Sequence, residues 1–338
     1  MKKYFLILPI SLFCLLSNCQ PGWSQSLNEQ LSKPINSNII KTRNDADVLL
    51  RLGGQEYYQQ DWPKAINYWQ EALKLYEQIG DTEGMGLTSD YLGLVYGSLG
   101  QSSQAEFYLR KRLSIARDRQ DLSGQIYGLN NLGTILLRNG SFLAAQEMFD
   151  EALRISRSIN NTVGEATSLN NLGLVSAHLG DYYQAIQHYE LALKLRSNLN
   201  DSIAEMNLNN NLADVYANTQ QYQKAEVLYS KTLDLARKSR DKTNEFRAIN
   251  GLFNVYNNLQ DKDYTLKYLS QRLEIVRSLN NREEELITLE KYAEFYKRLG
   301  DKKTAKNFYE RALNLAKILQ DRQKEAFLKD EISQILYR

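Results

Sequence analysis

The sequence predicts an all-α solenoid, that is, a stack of helix pairs, and three observations lead to this prediction. The first is a repeat of forty residues that holds over seven copies without an insertion, because self-similarity at a fixed period is typical of solenoids. The second is that each copy carries apolar residues at the spacings of three and four that amphipathic helices require. The third is that no proline follows Pro63, so nothing interrupts a helix between that residue and Arg338.

The repeat is clearest at a Leu-Gly pair and at two later positions of each copy. The pair is present in four copies and weakens in the last three: Leu52-Gly53, Leu92-Gly93, Leu132-Gly133 and Leu172-Gly173, then Leu212-Ala213, Leu252-Phe253 and Tyr292-Ala293. A small residue follows at Ala65, Ala105, Ala145, Ala185, Ala225, Thr265 and Ala305, and a large one at Trp69, Leu109, Phe149, Tyr189, Tyr229, Leu269 and Tyr309. The small residues predict a close crossing of the two helices of a copy, and the large ones fill the space between neighbouring copies.

Each copy is predicted to form two helices with their own start and stop signals. In the third copy the first helix runs from about Gly124 to Arg138, and Asn139-Gly140 ends it. Ser141 then caps the second helix, as aspartates do at the same place in other copies.

Two arginines depart from the pattern of the second helices. Arg112 and Arg272 stand where four other copies have alanine. We expect each arginine to extend its charge to water, and the second and sixth copies to pack less tightly as a result.

These residues resemble the tetratricopeptide repeat (TPR) family, whose pattern joins Leu-Gly to a later tyrosine and alanine. The tyrosine stands at Tyr96, Tyr216, Tyr256 and Tyr296. The forty-residue period is that of the long-repeat TPR subclass, and the closing proline of shorter repeats is absent. The resemblance implies a right-handed TPR superhelix. We assign residues 44–320 to seven repeats and residues 321–338 to a C-terminal capping helix that shields the last repeat.

The N-terminus has the form of an export signal. Lys2-Lys3 precede an apolar run from Tyr4 to Leu16 that is too short to span a bilayer comfortably. Residues 1–24 are therefore predicted to be a signal peptide, and the mature protein to be periplasmic or secreted. A retained membrane anchor is the alternative.

Two processing routes compete after export. A cut after Ser24 would follow small residues at Gly22 and Ser24 and release a soluble protein. The segment from Leu16 to Cys19 resembles a lipoprotein signal, in which Cys19 would be acylated, although Asn18 departs from the small residue expected there. The polar residues 25–43 are predicted to be a flexible linker.

Composition excludes several functional classes. The only cysteines are Cys14 and Cys19, so the repeats carry no disulfide, thiolate metal site or cysteine nucleophile. The 42 basic residues balance 40 acidic ones, which gives no case for nucleic acid as a partner. No cofactor is predicted, and a membrane is a partner only through a lipid at Cys19.

Asparagine recurs where the first helices should line a groove. The TPR resemblance implies that four positions of each first helix, at spacings of four, three and four, face a concave surface. Asn131, Asn171 and Asn211 hold the second of these positions in three repeats. The residues that we expect to contact a bound peptide are Asn130, Asn131, Asn170, Asn171, Asn210, Asn211, Asn250, Asn254, Tyr91, Tyr127, Arg138 and His178.

Asparagine is a poor helix residue, so its recurrence needs a cause. Its amide both donates and accepts, which suits it to holding the backbone of an extended peptide. With helices about 9 Å apart and a peptide advancing about 3.3 Å per residue, one asparagine per repeat would grip roughly every third residue. The row resembles the asparagine ladder in the TPR superhelix of O-GlcNAc transferases. The alternative is that these side chains bond between repeats or recur through duplication alone.

The predicted function is that of an exported scaffold or adaptor that binds a protein or extended peptide in the groove. A clamp for a terminal carboxylate is disfavoured because Arg138, Arg247 and Arg298 are isolated and Asp214 and Glu294 oppose them. The alternative function is a self-associating structural component of the cell envelope. An enzyme is not expected, because the two histidines have no cysteine or spaced carboxylates beside them.

Overall fold

The computed structural model describes residues 37–197, 199 and 201–337. Within these residues the chain forms fifteen α-helices and no strand, which confirms the all-α prediction. The helices are α1 (Ser37–Tyr58), α2 (Trp62–Ile79), α3 (Thr82–Ser98), α4 (Ser102–Asp118), α5 (Leu122–Arg138), α6 (Phe142–Ser158), α7 (Thr162–Leu179), α8 (Tyr182–Arg196), α9 (Ser202–Asn218), α10 (Tyr222–Ser239), α11 (Lys242–Asn258), α12 (Lys262–Ser278), α13 (Arg282–Arg298), α14 (Lys302–Ile318) and α15 (Arg322–Tyr337).

The chain divides into two compact units. The first ends at Asp201 and contains α1–α8, and the second begins at Ser202 and contains α9–α15. Within each unit, consecutive helices pack on one another. The odd-numbered helices also contact each other, α5 with both α3 and α7 in the first unit and α9 with α11 in the second. The odd-numbered helices are the predicted first helices of the repeats, so each unit places them side by side.

Short turns with a left-handed residue link the helices. That residue is glycine at Gly140, with a φ of 78°, and a longer side chain at Gln120, with a φ of 54°. The predicted aspartate caps are present, since the Asp181 carboxylate accepts from the backbone N–H of Gln184 at 3.0 Å and the Asp301 carboxylate from that of Thr304 at 3.0 Å. Ser141 lies at the matching place before α6, but its side chain accepts no such bond.

The predicted close packing at the Leu-Gly pair involves an aromatic ring. A Cβ added to Gly173 would lie 2.6 Å from Cε1 of Tyr189, and one added to Gly133 would lie 2.5 Å from Cε1 of Phe149. Both rings are fully buried. The small residue of the first helix therefore makes room for the large residue of the second helix in the same repeat.

The expectation that Arg272 extends its charge to water is wrong. The side chain is only 3 % exposed and pairs with Glu284 at 2.6 Å. It also donates to Oδ1 of Asn250 at 3.1 Å and to the Thr288 hydroxyl. A neighbouring carboxylate and two neutral acceptors replace water, so this arginine remains in the interior. Arg112 is also largely enclosed and lies 3.4 Å from Asp121.

The chain ends differ from the prediction in one respect. Helix α1 begins at Ser37, so residues 37–43 of the predicted flexible linker are helical, and the Thr42 hydroxyl donates to the Asn38 carbonyl at 2.9 Å. The run after Pro34 contains no further proline before Pro63, which leaves it free to form a helix. The predicted signal peptide, residues 1–24 with Cys19, lies outside the described residues.

Helix α15 packs on the last repeat through a buried leucine. Leu328 is fully buried with Leu286, Leu289 and Tyr309, and Ile332 packs against the same cluster. Among the described helices, none combines the length and the apolar character needed to cross a bilayer.

Candidate functional site

In the first unit, two tyrosines lie at the groove positions of α3 and α5. The Tyr91 ring stacks on Trp69 with centroids 5.3 Å apart and planes 22° apart. Tyr127 is 40 % exposed. Tyr91 is therefore held by the scaffold, and Tyr127 presents an aromatic side chain with a polar tip, a type of residue that is enriched at interfaces.

Arg138 and His178 lie in the last turns of α5 and α7 and contact neighbouring parts of the protein. Nη1 of Arg138 donates to the Gly97 carbonyl of α3 at 2.8 Å. The His178 ring stacks on Phe142 with centroids 5.3 Å apart, and burial lowers the pKa of its imidazole. Both side chains are thus fixed by the scaffold.

The asparagines of the first unit bond between neighbouring odd-numbered helices. Nδ2 of Asn131 donates to Oδ1 of Asp90 at 3.0 Å, and Nδ2 of Asn171 donates to Oδ1 of Asn130 at 3.0 Å. Nδ2 of Asn130 also donates to the Ser168 hydroxyl at 3.1 Å. Asn130, Asn131 and Asn171 are each at least nine-tenths buried.

The asparagines of the second unit have similar partners. Nδ2 of Asn210 donates to Oδ1 of Asn244 at 3.0 Å, and Oδ1 of Asn211 accepts from Arg247 at 2.7 Å. Asn250 accepts from the buried Arg272.

The remaining predicted asparagines are less buried. Asn170 is half-buried and donates to Oδ1 of Asn171 at 3.3 Å. Asn254 is exposed. The hydrogen bonds between helices favour the alternative that the buried asparagines join repeats, and contact of the row with a peptide stays a prediction.

Sequence reasoning did not single out Asp90, which belongs to the same network. It occupies in the second repeat the place that Asn130 holds in the third, so the forty-residue register was the available signal. Burial raises the pKa of its carboxyl, and the charge of Arg112 and the bond from Asn131 partly offset this rise.

The second unit contains a cavity of about 420 Å³ on the odd-numbered helices. Four groove positions line it, together with two phenylalanines: Asn254, Lys291, Glu294, Arg298, Phe253 and Phe327. We call it the α13 cavity, because α13 supplies three of these residues. The register placed Asn254, Lys291, Glu294 and Arg298 on one face, but it gave no sign that α15 would close the site with Phe327.

The charges of the α13 cavity are unevenly compensated. Lys297 pairs with Glu331 at 2.6 Å, and Arg298 donates to the neutral amide of Asn257. The ammonium of Lys291 lies over the Phe253 ring, 5.1 Å from its centroid. Burial lowers the pKa of Lys291, and the charge of Arg272 adds to that effect.

The described residues offer no cluster of three histidine, cysteine, aspartate or glutamate side chains that could hold a metal ion. What the odd-numbered helices present is exposed tyrosine in the first unit and a partly charged cavity in the second. These are features of a binding surface.

Comparison with known proteins agrees with the repeat register. A model described as tetratricopeptide repeat matches residues 44–118 and 125–198, and two further models of that description match residues 210–239 and 286–318. No curated protein matches the chain at a significant level.

Several solved structures share the fold at low sequence identity. The apo form of RapI is 19 % identical with a TM-score of 0.63, and the match covers 82 % of this chain and 99 % of RapI. The apo quorum sensor NprR from B. thuringiensis is 18 % identical with a TM-score of 0.63, over 79 % of this chain and 75 % of NprR. A Rap protein complexed with Competence and Sporulation Factor is 19 % identical with a TM-score of 0.58, over 87 % and 79 % of the two chains. The matched models and the helix pairs at a forty-residue period lead to one conclusion: this chain belongs to the tetratricopeptide repeat family.

Proposed function

We propose that the chain is an exported TPR scaffold or adaptor that binds a protein or an extended peptide in a groove formed by its odd-numbered helices. The observation that carries this proposal is the α13 cavity, because four positions that the register assigns to the groove line it together. Its volume of about 420 Å³ falls in the range of ligand sites in proteins. In the first unit, Tyr127 also holds a groove position of an odd-numbered helix and is 40 % exposed.

One of the similar structures supports a binding role. It is a Rap protein complexed with Competence and Sporulation Factor, so at least one protein with this arrangement of helices holds a bound factor. The present chain shares the fold with that protein, and we propose that it shares the use of the fold as a binding scaffold.

We assign no chemistry to the scaffold. The nearest approach to a catalytic pair in the first unit is Ser176, whose hydroxyl lies 3.4 Å from Nδ1 of His188. Ser176 is only 8 % exposed, so it offers little surface to a substrate. A nucleophile must reach the reacting atom of its substrate, and this burial disfavours such a role.

Export is proposed from the sequence alone. Lys2-Lys3 and the apolar run that follows support a signal peptide, with either Gln25 or an acylated Cys19 as the mature N-terminus. Mass spectrometry of the protein isolated from its native cell tests this. An intact Met1 on cytoplasmic protein would reject both forms.

A pair of exposed tyrosines in the first unit tests the binding surface. Tyr127 lies on α5, an odd-numbered helix, and Tyr183 lies on α8, an even-numbered helix, where it is 73 % exposed. Peptides would be selected on the wild-type protein from a random display library and labelled with fluorescein. Fluorescence polarisation would then compare the Tyr127→Ala and Tyr183→Ala variants.

We expect Tyr127→Ala to weaken binding by roughly tenfold, since a tyrosine at the centre of an interface contributes at least about 1.4 kcal/mol. Tyr183→Ala should bind as the wild type does. Equal affinities for the two variants would reject Tyr127 as part of the binding surface. A loss with Tyr183→Ala alone would place that surface on the even-numbered helices. Circular dichroism confirms that each variant is folded.

A further inference from the structure

The lining of the α13 cavity carries more basic than acidic side chains. Three basic side chains line it, Lys291, Lys297 and Arg298, against the two carboxylates of Glu294 and Glu331. The carboxylate of Glu331 is already engaged by Lys297 at 2.6 Å.

Of the described residues that line the cavity, Lys291 and Arg298 are the two cations without an ion pair, and Lys291 is the more buried of the two. Among the ion pairs of the described residues, none joins Lys291 to a carboxylate within 4.0 Å. Its half-buried ammonium is supported by the face of the Phe253 ring, 5.1 Å away. A cation–π contact of this kind offsets only part of the lost hydration of an ammonium. Burial and the charge of Arg272 lower the pKa of Lys291, and the carboxylates of Glu294, Glu284 and Glu290 offset only part of this effect.

The walls of the cavity define the shape of the group that would supply the anion. Phe253 lies below Lys291, and Phe327 of α15, which is 47 % exposed, lines the same space. Two aromatic rings favour a short aliphatic stem, and the lysine and Arg298 favour a carboxylate at its end. The amide of Asn254, which is exposed, is available to the backbone that carries this stem.

We propose that the α13 cavity binds an acidic side chain, glutamate or aspartate, of a peptide held on the odd-numbered helices, with Lys291 as its principal counter-ion. This inference rests on the proposed function, and it adds the chemical class of one residue of the ligand. The carboxylate of Glu294 opposes the incoming group. Its negative charge therefore lets the site bind one acidic side chain but lowers the affinity for a second acidic side chain.

The test uses small probes of defined charge, so that it does not depend on knowing the natural partner. N-acetyl-glutamate amide, N-acetyl-glutamine amide and N-acetyl-lysine amide are titrated into the full-length protein labelled with ¹³C-lysine. The ¹³Cε signal of Lys291 is assigned by its loss in Lys291→Gln and is followed by NMR. Lys303, which is exposed on α14, serves as the matched control.

We expect the glutamate probe to shift the Lys291 signal saturably and to bind about tenfold more tightly than the glutamine probe. A hydrogen bond to a charged partner stabilises more than one to a neutral partner, by about the 1.4 kcal/mol that corresponds to tenfold in affinity. The glutamate probe should also raise the titration midpoint of Lys291, because a bound anion stabilises the ammonium. The Lys303 signal should not respond, and Lys303→Gln should leave the affinity unchanged.

A second variant gives a result that misfolding cannot imitate. Glu294→Gln removes the opposing carboxylate and should strengthen binding of the glutamate probe. Tighter binding of the lysine probe, equal binding of the glutamate and glutamine probes, or no saturable shift with any probe would each overturn the proposal. The comparison of Tyr127 with Tyr183 in the first unit is independent of all these results, so the two proposals can fail separately.

Discussion

The packing at the Leu-Gly pair can be tested with two glycines of the first unit that differ in their surroundings. Gly173 lies in α7, where a Cβ would stand 2.6 Å from Cε1 of Tyr189, a ring that is 1 % exposed. Gly54 lies in α1, and a Cβ there would meet nothing within 4 Å. Both glycines are helical, so changing either to alanine brings the same gain in helix propensity, about 1 kcal/mol.

The difference between the two variants isolates the packing term. A Cβ at 2.6 Å forces the enclosed Tyr189 ring or the backbone to move, and overpacking of this kind costs about 1–3 kcal/mol. We therefore expect Gly54→Ala to stabilise the protein by about 0.5–1 kcal/mol. Gly173→Ala should be less stable than Gly54→Ala by about 1–3 kcal/mol, and Gly173→Leu should be worse still.

Urea unfolding followed by far-ultraviolet circular dichroism measures these differences. Because repeat proteins can unfold in parts, hydrogen exchange of the α7 and α1 amides should accompany the melts. If Gly173→Ala were as stable as Gly54→Ala, the prediction would be wrong, because the Tyr189 ring would then accommodate the added Cβ at no cost.

Three further predictions follow from buried polar groups. Asn171→Ala should lower the free energy of unfolding by about 1–3 kcal/mol, since it leaves Oδ1 of Asn130 without one donor. Its control, Asn254→Ala on the exposed face, should leave stability unchanged within about 0.5 kcal/mol. Thermal melts of both variants check this, and equal melting temperatures would mean that the buried asparagine does not join the repeats. Asn209→Leu should stabilise the protein by about 1–3 kcal/mol, because Asn209 is fully buried and both polar atoms of its side chain lack a hydrogen-bond partner. Urea unfolding measures this, and a variant less stable than the wild type would contradict the prediction and show that leucine does not fit there. Burial lowers the pKa of His188 below its unfolded value, so protonation favours the unfolded state. The free energy of unfolding should therefore fall as pH drops below about 6.5 and level off beneath the folded pKa. The fall should be smaller in His188→Gln, and an unchanged pH profile of that variant would show that His188 does not cause the pH dependence.

Much of the helical architecture was predictable because it depends on local rules that recur every forty residues. The apolar spacing, the aspartate caps and the turn glycines act within one helix pair, so a register alone places them. Asp181 and Asp301 cap their helices as expected. The same register marked Gly173 as a small position and Tyr189 as a large one, but it assigned the large residue to the space between neighbouring copies. The Tyr189 ring instead lies where a Cβ of Gly173 would stand, within one copy.

The candidate site was less predictable because its chemistry depends on the partner of each side chain. The register placed Asn131 and Asn171 on one face of their helices. It did not show that their side-chain amides would donate to Asp90 and Asn130, which lie on the preceding odd-numbered helices.

The sequence by itself determined the repeat and the class of fold, and it predicted a binding surface on the odd-numbered helices. Only the tertiary structure decided that Arg272 is buried beside Glu284 and that Lys291 and Phe327 line one cavity. The physical reason is that periodicity reports the face of a helix on which a residue lies. The cost of burying a charge or an amide depends on which acceptor stands within about 3 Å of it, and that distance is set by residues of another helix.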